Sequence, residues 1–276
     1  MSAELFRAVV NPYAGCYLGA EQLLPLLQSM DSVSAVAVFR QRLQASLVAW
    51  QPLYQLVWLD LPASAAVLIP AALAQGFEFH HCQPQQLMLV KKLQPQAYLP
   101  LAATHSIGVG ALVWSGDRQN RGQVLMVQEQ PLAGQAAGYF KLPGGMVEPK
   151  EHLVQAVQRE VLEETGVSAE FAGMLGLRHH HQGQFGASNI YLVCVLYAGS
   201  PAVLPALSPQ VGEIAMARWF WPEEYLSDEK AHTYNKLLLS RALAAPLWSD
   251  TKIAQYRARH DDYEIFIAAA TEAETR

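Results

Sequence analysis

Closely spaced glutamates stand out between residues 145 and 167 of this 276-residue chain. Glu160, Glu163 and Glu164 fall at the end of a segment whose apolar periodicity predicts a helix. Carboxylates at a helix C-terminus oppose its dipole by about 0.3–1 kcal/mol each, and like charges three or four residues apart repel. A hard cation such as Mg²⁺, which prefers oxygen ligands, would relieve both effects. The spacing therefore predicts a divalent-metal site of the kind that cleaves phosphoanhydrides.

The remaining residues of the segment predict how this helix begins and ends. Pro149, after Glu148, suits a first helical position, and Gly166 suits a left-handed C-terminal cap. The apolar stripe of the helix is predicted to consist of Leu153, Ala156, Val157 and Val161. The three glutamates continue that stripe, so they occupy positions where core residues would be expected.

Arg159 is the cation within this acidic run. It can pair with Glu151 or Glu160 and fix a carboxylate, or it can bind a phosphate directly. A solvated acidic helix end is the ordinary alternative for such a run. At ordinary residue frequencies, this spacing would occur by chance only on the order of once in 10⁸–10⁹ start sites, which favours a metal site over a solvated helix end. The seven positions concerned are Gly145, Glu151, Arg159, Glu160, Glu163, Glu164 and Gly166.

Residues 145–167 match the pattern G-x5-E-x7-R-E-U-x-E-E-x-G-U, in which U is a bulky aliphatic residue. On this pattern, the Nudix box, the chain resembles the Nudix hydrolase family. Residues 140–144, Phe-Lys-Leu-Pro-Gly, resemble the family's lead-in, with Phe140 in place of the usual Trp. The matching positions are Gly145, Glu151, Arg159, Glu160, Val161, Glu163, Glu164, Gly166 and Val167.

The resemblance implies an α/β (α+β) fold, with the Nudix segment on an α/β/α sandwich that has a mixed sheet. It also implies hydrolysis of a nucleoside diphosphate linked to another moiety. Metal, Mg²⁺ with Mn²⁺ as a substitute, would be held by Glu160, Glu163, Glu164 and the Gly145 carbonyl, with Glu151 in support. The general base would be Glu163, Glu164 or a glutamate of a later loop. Glu213 is the late candidate, with a solvated residue before a strand as the alternative.

Composition agrees with a soluble enzyme. The chain is 51% hydrophobic and 16% charged, which is enough apolar material for one or two domains with a sizeable core. A net charge of −5 with no basic stripe argues against a nucleic-acid partner. The densest basic pair, Lys91-Lys92, is interpreted as lying at a strand edge.

Cysteine usage and hydropathy bear on location. Cys16, Cys82 and Cys194 are scattered and odd in number, so neither a disulfide framework nor a zinc ribbon is indicated. The most apolar stretch, residues 61–77, is interrupted by Pro62 and Pro70, which argues against a membrane span. We expect a cytoplasmic protein with no membrane partner.

Element patterns predict two domains. Residues 1–93 should form a smaller α/β domain, with strands at 6–10, 56–61, 77–81 and 87–93 and helices at 34–50 and 63–75. A proline-containing linker at 94–104 should lead to the hydrolase domain at 105–245. That domain should contain a hairpin of 107–114 and 124–128, strands at 171–177, 190–196 and 216–221, and a helix at 225–244. Residues 246–276 would be an extension with a fraying end.

A narrower resemblance covers more of the chain. Residues 104–114, the box and residues 177–196 are similar to the Nudix subgroup with a preceding small α/β domain, which includes the animal fibroblast-growth-factor antisense protein and plant ADP-ribose and NADH pyrophosphatases. Residues 58–81 are similar to its pre-Nudix segment, which resembles half of an acetyltransferase. No acetyl-CoA loop is found. We therefore expect this domain to support a homodimer or shape the substrate mouth rather than carry a second activity.

The run His179-His180-His181 has two interpretations. Imidazoles there could meet substrate phosphate, or the run could be a polar strand end in solvent. Strand alternation places His179 and His181 on one face and His180 on the other, which disfavours a zinc site built from all three. The subgroup has a His at the position of His181 but an acid where this chain has Asn189, so His181 alone is expected to line the site.

Substrate choice follows only from the subgroup, which favours ADP-ribose or NADH. Phe140, Tyr139 or Phe185 could stack on a base, with a core role as the alternative for each. The sequence features typical of other NADH pyrophosphatases and of coenzyme A hydrolases are absent. A non-catalytic nucleotide sensor or interaction module is the alternative function, and a prenyl-diphosphate isomerase is a remoter one. Sensors usually lose box glutamates, whereas this chain keeps them all.

Overall fold

The chain divides between Ala103 and Thr104 into two units, each with its own sheet. The computed structural model describes residues 4–12, 14–117, 121–131, 133–136, 138–229, 231–243, 246–251 and 264–268. The predicted fraying end, residues 268–276, lies outside these ranges except for Ala268, which is the last residue of a strand. Part of the predicted extension does not: two short strands after residue 246 join the second sheet.

The first unit is a five-stranded mixed sheet with helices. Its strand order is β1-β2-β3-β5-β4, in which only the β2–β3 pair is parallel. The strands are β1 Val9–Asn11, β2 Gly15–Leu18, β3 Leu56–Pro62, β4 Glu78–Gln83 and β5 Gln86–Lys92. The helices are α1 Ala20–Ser29, α2 Ser32–Trp50 and α3 Ile69–Leu73, with a 3-10 helix at Ala63–Leu68.

The long helix α2 was predicted, and its start is fixed by Asp31, whose side chain accepts hydrogen bonds from the N–H groups of Val33 and Ser34. Helix α1 was missed because Pro25 lies inside it. The predicted helix at 63–75 is wrong in part. Its first half is a 3-10 helix, and α3 starts anew at Ile69, with Pro70, which has no N–H to continue the preceding turn, in its first turn.

The larger of two apolar clusters in the first unit lies between its sheet and its helices. Helix α2 contributes Phe39, Leu43 and Trp50, which pack with Leu59 of β3 and Leu89 of β5. Lys91 and Lys92 lie at the end of β5, beyond its last pair with β4, and pair only with Val57 and Leu56 of β3. This end of β5 is therefore a local edge of the sheet, as predicted.

The second unit is built on a seven-stranded mixed sheet of order β10-β7-β6-β9-β8-β11-β12, in which β6 and β9 are parallel. Its strands are β6 His105–Gly116, β7 Arg121–Glu129, β8 Glu170–His180, β9 Ser188–Ala198, β10 Ile214–Phe220, β11 Trp248–Asp250 and β12 Phe266–Ala268. Its helices are α4 Leu153–Thr165, α5 Pro222–Ser227 and α6 Thr233–Ala242. The predicted hairpin and the three later strands are confirmed.

Helices cover both faces of this sheet, as the predicted sandwich requires. On one face, Ala156, Val157 and Val161 of α4 pack against Val109 and Ala111 of β6. The other face packs against α5 and α6 through a second buried cluster, which contains Trp114, Val193, Phe220, Tyr225 and Leu239. Helix α4, which carries the clustered glutamates, therefore packs against the central strands of the sheet.

Two predicted helix boundaries are wrong. Helix α4 begins at Leu153 rather than at Pro149, because residues 149–150 form a turn in which Lys150 has a φ of +69°. The single helix predicted at 225–244 is two helices, α5 and α6. The His232 side chain accepts a hydrogen bond from the Tyr234 N–H and so starts α6 separately.

Within the described ranges, none of the helices combines the length and the hydropathy needed to cross a membrane.

The core of the first unit gives a stability prediction. Leu43 is fully buried on α2, so Leu43→Ala should lower the free energy of unfolding of this unit by about 2–5 kcal/mol through lost burial and a cavity. Val48 is on the same helix and 71% exposed, so Val48→Ala should change it by no more than about 0.5 kcal/mol. Urea unfolding followed by circular dichroism measures both. Equal effects of the two substitutions would refute this assignment of the core.

Candidate active site

A glycine turn places the backbone of residues 143–147 along β6. The N–H groups of Val109 and Ala111 donate to the carbonyls of Gly145 and Pro143, each over 2.8 Å. Gly144 has a φ of +147°, and a side chain there would overlap the Val109 carbonyl oxygen. A Cβ at Gly145 would lie 2.6 Å from a carboxylate oxygen of Glu160. Glycine is therefore what allows this turn to approach both the strand and the acidic helix.

Both ends of α4 are closed by specific groups. At its C-terminus, Gly166 adopts the predicted left-handed conformation with φ +74°. At its N-terminus, the N–H groups of Leu153 and Val154 donate to the carboxylate of Glu264, over 2.6 and 3.2 Å. An acid at this end of a helix satisfies free N–H groups and complements the dipole. Sequence reasoning missed Glu264, since nothing local signals a cap supplied 111 residues later.

Arg159 organises the acidic side chains around it. Its Nε and Nη2 donate to the two carboxylate oxygens of Glu151 over 2.7 and 2.9 Å. Its Nη1 donates to Glu160 over 2.9 Å and to Glu163 over 3.0 Å. Glu151 also accepts from the Glu148 N–H, so one guanidinium joins the turn to the helix. The hydrogen bonds from Arg159 hold the pKa of Glu151 below its ordinary value.

The pKa values of Glu160 and Glu164, the two carboxylates at the centre of the site, are raised rather than lowered. Glu164 is buried and accepts a hydrogen bond from the Gly144 N–H over 2.8 Å. Burial, reinforced by the charges of Glu160 and Glu213, raises its pKa to about 7. Burial also raises the pKa of Glu160, and Glu163 and Glu213 add to this shift. The late glutamate Glu213 thus lies close enough to act electrostatically on both helix carboxylates.

This arrangement fits a divalent cation. Desolvation and mutual repulsion raise the pKa of Glu160 and of Glu164, and a nearby metal charge would reverse both effects. Across the described part of the chain, no three His, Cys, Asp or Glu side chains yet form a ready-made metal cluster. Glu160 and Glu163 each direct an oxygen at Arg159 instead. The Gly145 carbonyl accepts one hydrogen bond from Val109 and retains a second lone pair.

The aromatic residues considered for base stacking lie in different surroundings. Phe140 packs against Phe220 with ring centroids 4.9 Å apart, so its ring serves the core. Tyr139 is 60% exposed, with its ring 6.4 Å from that of His232. Phe185 is fully exposed on a turn and has a φ of +54°. Of the three, Phe185 is the most accessible to a ligand.

The histidines lie close together where strand β6 begins and strand β8 ends. His179 and His181 stack with ring centroids 4.2 Å apart, consistent with a shared face. His105 of β6, which was not predicted to be a site residue, joins them: its Nε2 lies 2.9 Å from Nε2 of His179. Asn189, where the subgroup has an acid, donates to the Ser106 hydroxyl over 3.1 Å. Because residues 107–111 of β6 also hold the Gly145 turn, these side chains lie at the same end of β6 as the acidic site.

A further basic residue beside the site was not predicted. Arg178 of β8 lies between the rings of Tyr191 and Tyr234, its guanidinium carbon 5.1 and 5.5 Å from their centroids. The Tyr191 ring occupies space left by Gly108, next to the Gly145 carbonyl. Burial raises the pKa of Tyr191, and the Glu164 charge adds to this. Only the cross-strand register could have indicated this group, since Arg178 and Tyr191 are distant in sequence but opposite in the sheet.

Arg159 gives a prediction that does not depend on the substrate. Lysine cannot form the two-pronged contact with Glu151 while also reaching Glu160 and Glu163, so Arg159→Lys leaves charged groups short of partners. Glu151 and Glu160 are only 14% exposed, and the free energy of unfolding should fall by about 1–3 kcal/mol. Arg218 forms an exposed ion pair with Glu224, and Arg218→Lys is the matched control. It should change the free energy of unfolding by under about 1 kcal/mol. Equal losses in both variants would show that the Arg159 network does not support the fold.

Both units of the chain match known protein-family models. A family model of the NUDIX domain matches residues 104–240, and one described as the Nudix hydrolase domain matches residues 7–93. Nudix hydrolase 2 of Arabidopsis thaliana is 35% identical over 203 residues, which cover 73% of this chain and 70% of that protein.

Two other relatives are matched over half of their length. Nudix hydrolase 8 of Arabidopsis thaliana is 34% identical over 68% of this chain and 50% of its own. The mouse protein named nucleoside diphosphate-linked moiety X motif 6 is 38% identical over 58% of this chain and 50% of its own. With both units matched and all box positions present, the chain belongs to the Nudix hydrolase family, with a pre-Nudix unit ahead of the hydrolase unit.

Proposed function

We propose that this protein is a metal-dependent hydrolase that cleaves the phosphoanhydride of a nucleoside diphosphate linked to another moiety. The observation that carries the proposal is the Arg159 network, which holds Glu151, Glu160 and Glu163 beside the buried Glu164. Water adds across one P–O–P bond, so that its oxygen forms a new bond to phosphorus and the bridging oxygen leaves with the other phosphate.

Mg²⁺, or Mn²⁺ in its place, would be held by Glu160, Glu163, Glu164 and the Gly145 carbonyl. When bound, the ion shields phosphate charge and makes a coordinated water more acidic. The rest of the site orients these ligands. Arg159 fixes one oxygen of Glu160 and one of Glu163, and the Gly144 N–H fixes one oxygen of Glu164.

The proton of the attacking water needs a carboxylate acceptor. Glu163 is half exposed and Glu213 is exposed, so both are accessible to solvent, whereas one oxygen of Glu164 is engaged by Gly144. Glu213 is held in place because its backbone carbonyl accepts from the Gln130 N–H over 2.7 Å. We propose Glu163 or Glu213 as the base, with Glu164 mainly a metal ligand.

For the substrate we propose ADP-ribose or NADH, on the resemblance to the plant subgroup. Two features of the sheet edge suit such a molecule. Arg178 presents a guanidinium with no carboxylate partner among the described residues, which suits a phosphate or ribose hydroxyl. Phe185 exposes a whole ring, which suits stacking on a base. His181 would line the same edge.

Location and assembly also remain proposals. We propose a cytoplasmic protein, which is supported by the three free cysteines at scattered positions, two of them buried. We propose a homodimer on the subgroup resemblance. Sedimentation equilibrium at micromolar protein should give twice the chain mass of 30.4 kDa, and a single species of that chain mass would exclude the dimer.

Product release over a substrate panel tests the activity. ADP-ribose, NADH, NAD, ADP-sugars, dinucleoside polyphosphates, coenzyme A and nucleoside triphosphates are incubated with Mg²⁺, with Mn²⁺ or with EDTA. Turnover should be greatest for ADP-ribose or NADH and absent in EDTA. Glu164→Gln should reduce kcat about 10²- to 10³-fold, because a charge that stabilises the transition state is lost.

Glu170→Gln is the matched control, since Glu170 is an exposed carboxylate on β8 of the same unit. It should leave kcat unchanged. Turnover of a different class of substrate, if it is lost in Glu164→Gln, would change the proposed substrate but would still support the proposed hydrolase activity. Metal-dependent nucleotide binding with no product from any substrate would refute the hydrolase and favour a nucleotide sensor.

A further inference from the structure

A groove in the first unit has no role in the chemistry described so far. It has a volume of about 670 Å³ and runs between α2 and the end of β5. Arg40, Gln44 and Leu47 of α2 form one side, and Lys91 and Lys92 of β5 form the other. A cavity of this size falls within the range of about 300–1,000 Å³ that is typical of small-molecule sites.

The charges of this unit are distributed unevenly around the groove. Residues 1–103 contain five Lys or Arg and five Asp or Glu, so the unit as a whole is formally neutral. Three of the five basic residues, Arg40, Lys91 and Lys92, lie at the groove, and none of the five acids does. Lys91 lies on the same face of β5 as Leu89 and Leu93, toward α2, whereas Lys92 alternates to the opposite face. Concentrated positive charge in a concave site with low-dielectric walls attracts anions.

Within the described residues, these three cations also have no carboxylate partner. Arg42, two residues from Arg40, forms an ion pair with Glu4 at 3.6 Å. Among the described residues, no carboxylate pairs in this way with Arg40, Lys91 or Lys92. Positive charges left together without partners repel one another, and an anionic ligand would reverse that repulsion.

The groove is held in shape by Gln75, which joins its two sides. The Gln75 Nε2 donates to the Arg40 carbonyl over 3.1 Å, and the Gln75 carbonyl accepts from Nζ of Lys91 over 2.7 Å. Lys91 thus retains two N–H donors for a ligand. A groove whose sides are already joined loses less conformational entropy on binding.

The rest of the lining is not purely cationic. Leu47 and Val48 offer apolar surface, and Gln44 and Gln51 offer amide groups. We propose that this groove is a second ligand site, separate from the Nudix segment, that binds an organic phosphate of nucleotide size. The phosphates contact Arg40 and Lys91, while the organic part packs on Leu47 and Val48 and hydrogen-bonds to the amides.

Calorimetric titration of the full chain tests the site. The probes are ADP and inorganic pyrophosphate, and EDTA is present so that neither turnover nor metal-assisted binding at the Nudix carboxylates contributes. ADP should bind at one site per chain and more tightly than pyrophosphate, because only ADP has an organic part. Binding should weaken as salt is raised, since exposed charges are screened.

Arg40→Gln and Lys91→Gln should each weaken ADP binding about tenfold, the loss expected for one charge-assisted hydrogen bond. Arg7→Gln removes the same charge from the same unit outside the groove and should leave the affinity unchanged. Thermal unfolding of each variant checks that the fold is retained.

Three results would overturn the proposal. The first is no binding of ADP at millimolar concentration, and the second is an equal loss in Arg7→Gln, which would reflect net charge alone. The third is binding that persists in Arg40→Gln and Lys91→Gln but disappears in Glu164→Gln, which would place the ligand at the Nudix segment. Because the titration requires no turnover, it is independent of whether the proposed hydrolase activity is found.

Discussion

The attraction between one guanidinium and three carboxylates underlies the organisation of the second unit. Helix α4 ends in a cluster of acids whose repulsion and dipole placement both disfavour the helix. Arg159 offsets this from within the same helix, and its bond to Glu151 ties the preceding turn to the cluster. The hydrogen bonds of Arg159 therefore join the acidic end of α4 and the preceding turn into one network.

The backbone matters as much as the charges. Val109 and Ala111 of β6 hold the glycine turn through main-chain hydrogen bonds, and the same strand lies on the apolar face of α4. The position of the Gly145 carbonyl relative to Glu160 is thus set by a central strand of a seven-stranded sheet. Atoms placed by a packed sheet vary little, which is what a site for an ion with strict geometric demands requires.

Sequence reasoning was most successful where local pattern decides the structure. The box helix, its glycine cap and the Arg159–Glu151 pairing follow from spacing, and most strands follow from apolar runs. It failed where a distant residue supplies the deciding interaction. Glu264 sets the start of α4, and His232 breaks the helix predicted at 225–244. The contact of Arg178 with Tyr191 depends on strand register, and the clustering of Arg40 with Lys91 and Lys92 depends on how α2 packs. Neither can be obtained from one sequence.

The cap on α4 has a consequence for how the enzyme is made. Glu264 closes the first turn of the helix that carries the acidic site, yet the ribosome adds it 111 residues after Leu153. During synthesis the box is translated long before its helix can be completed. A product that stops short of this glutamate would contain every residue of the box pattern but would leave the amide groups of Leu153 and Val154 without their acceptor. Truncation before Glu264 should therefore weaken the start of α4 without removing any residue of the box.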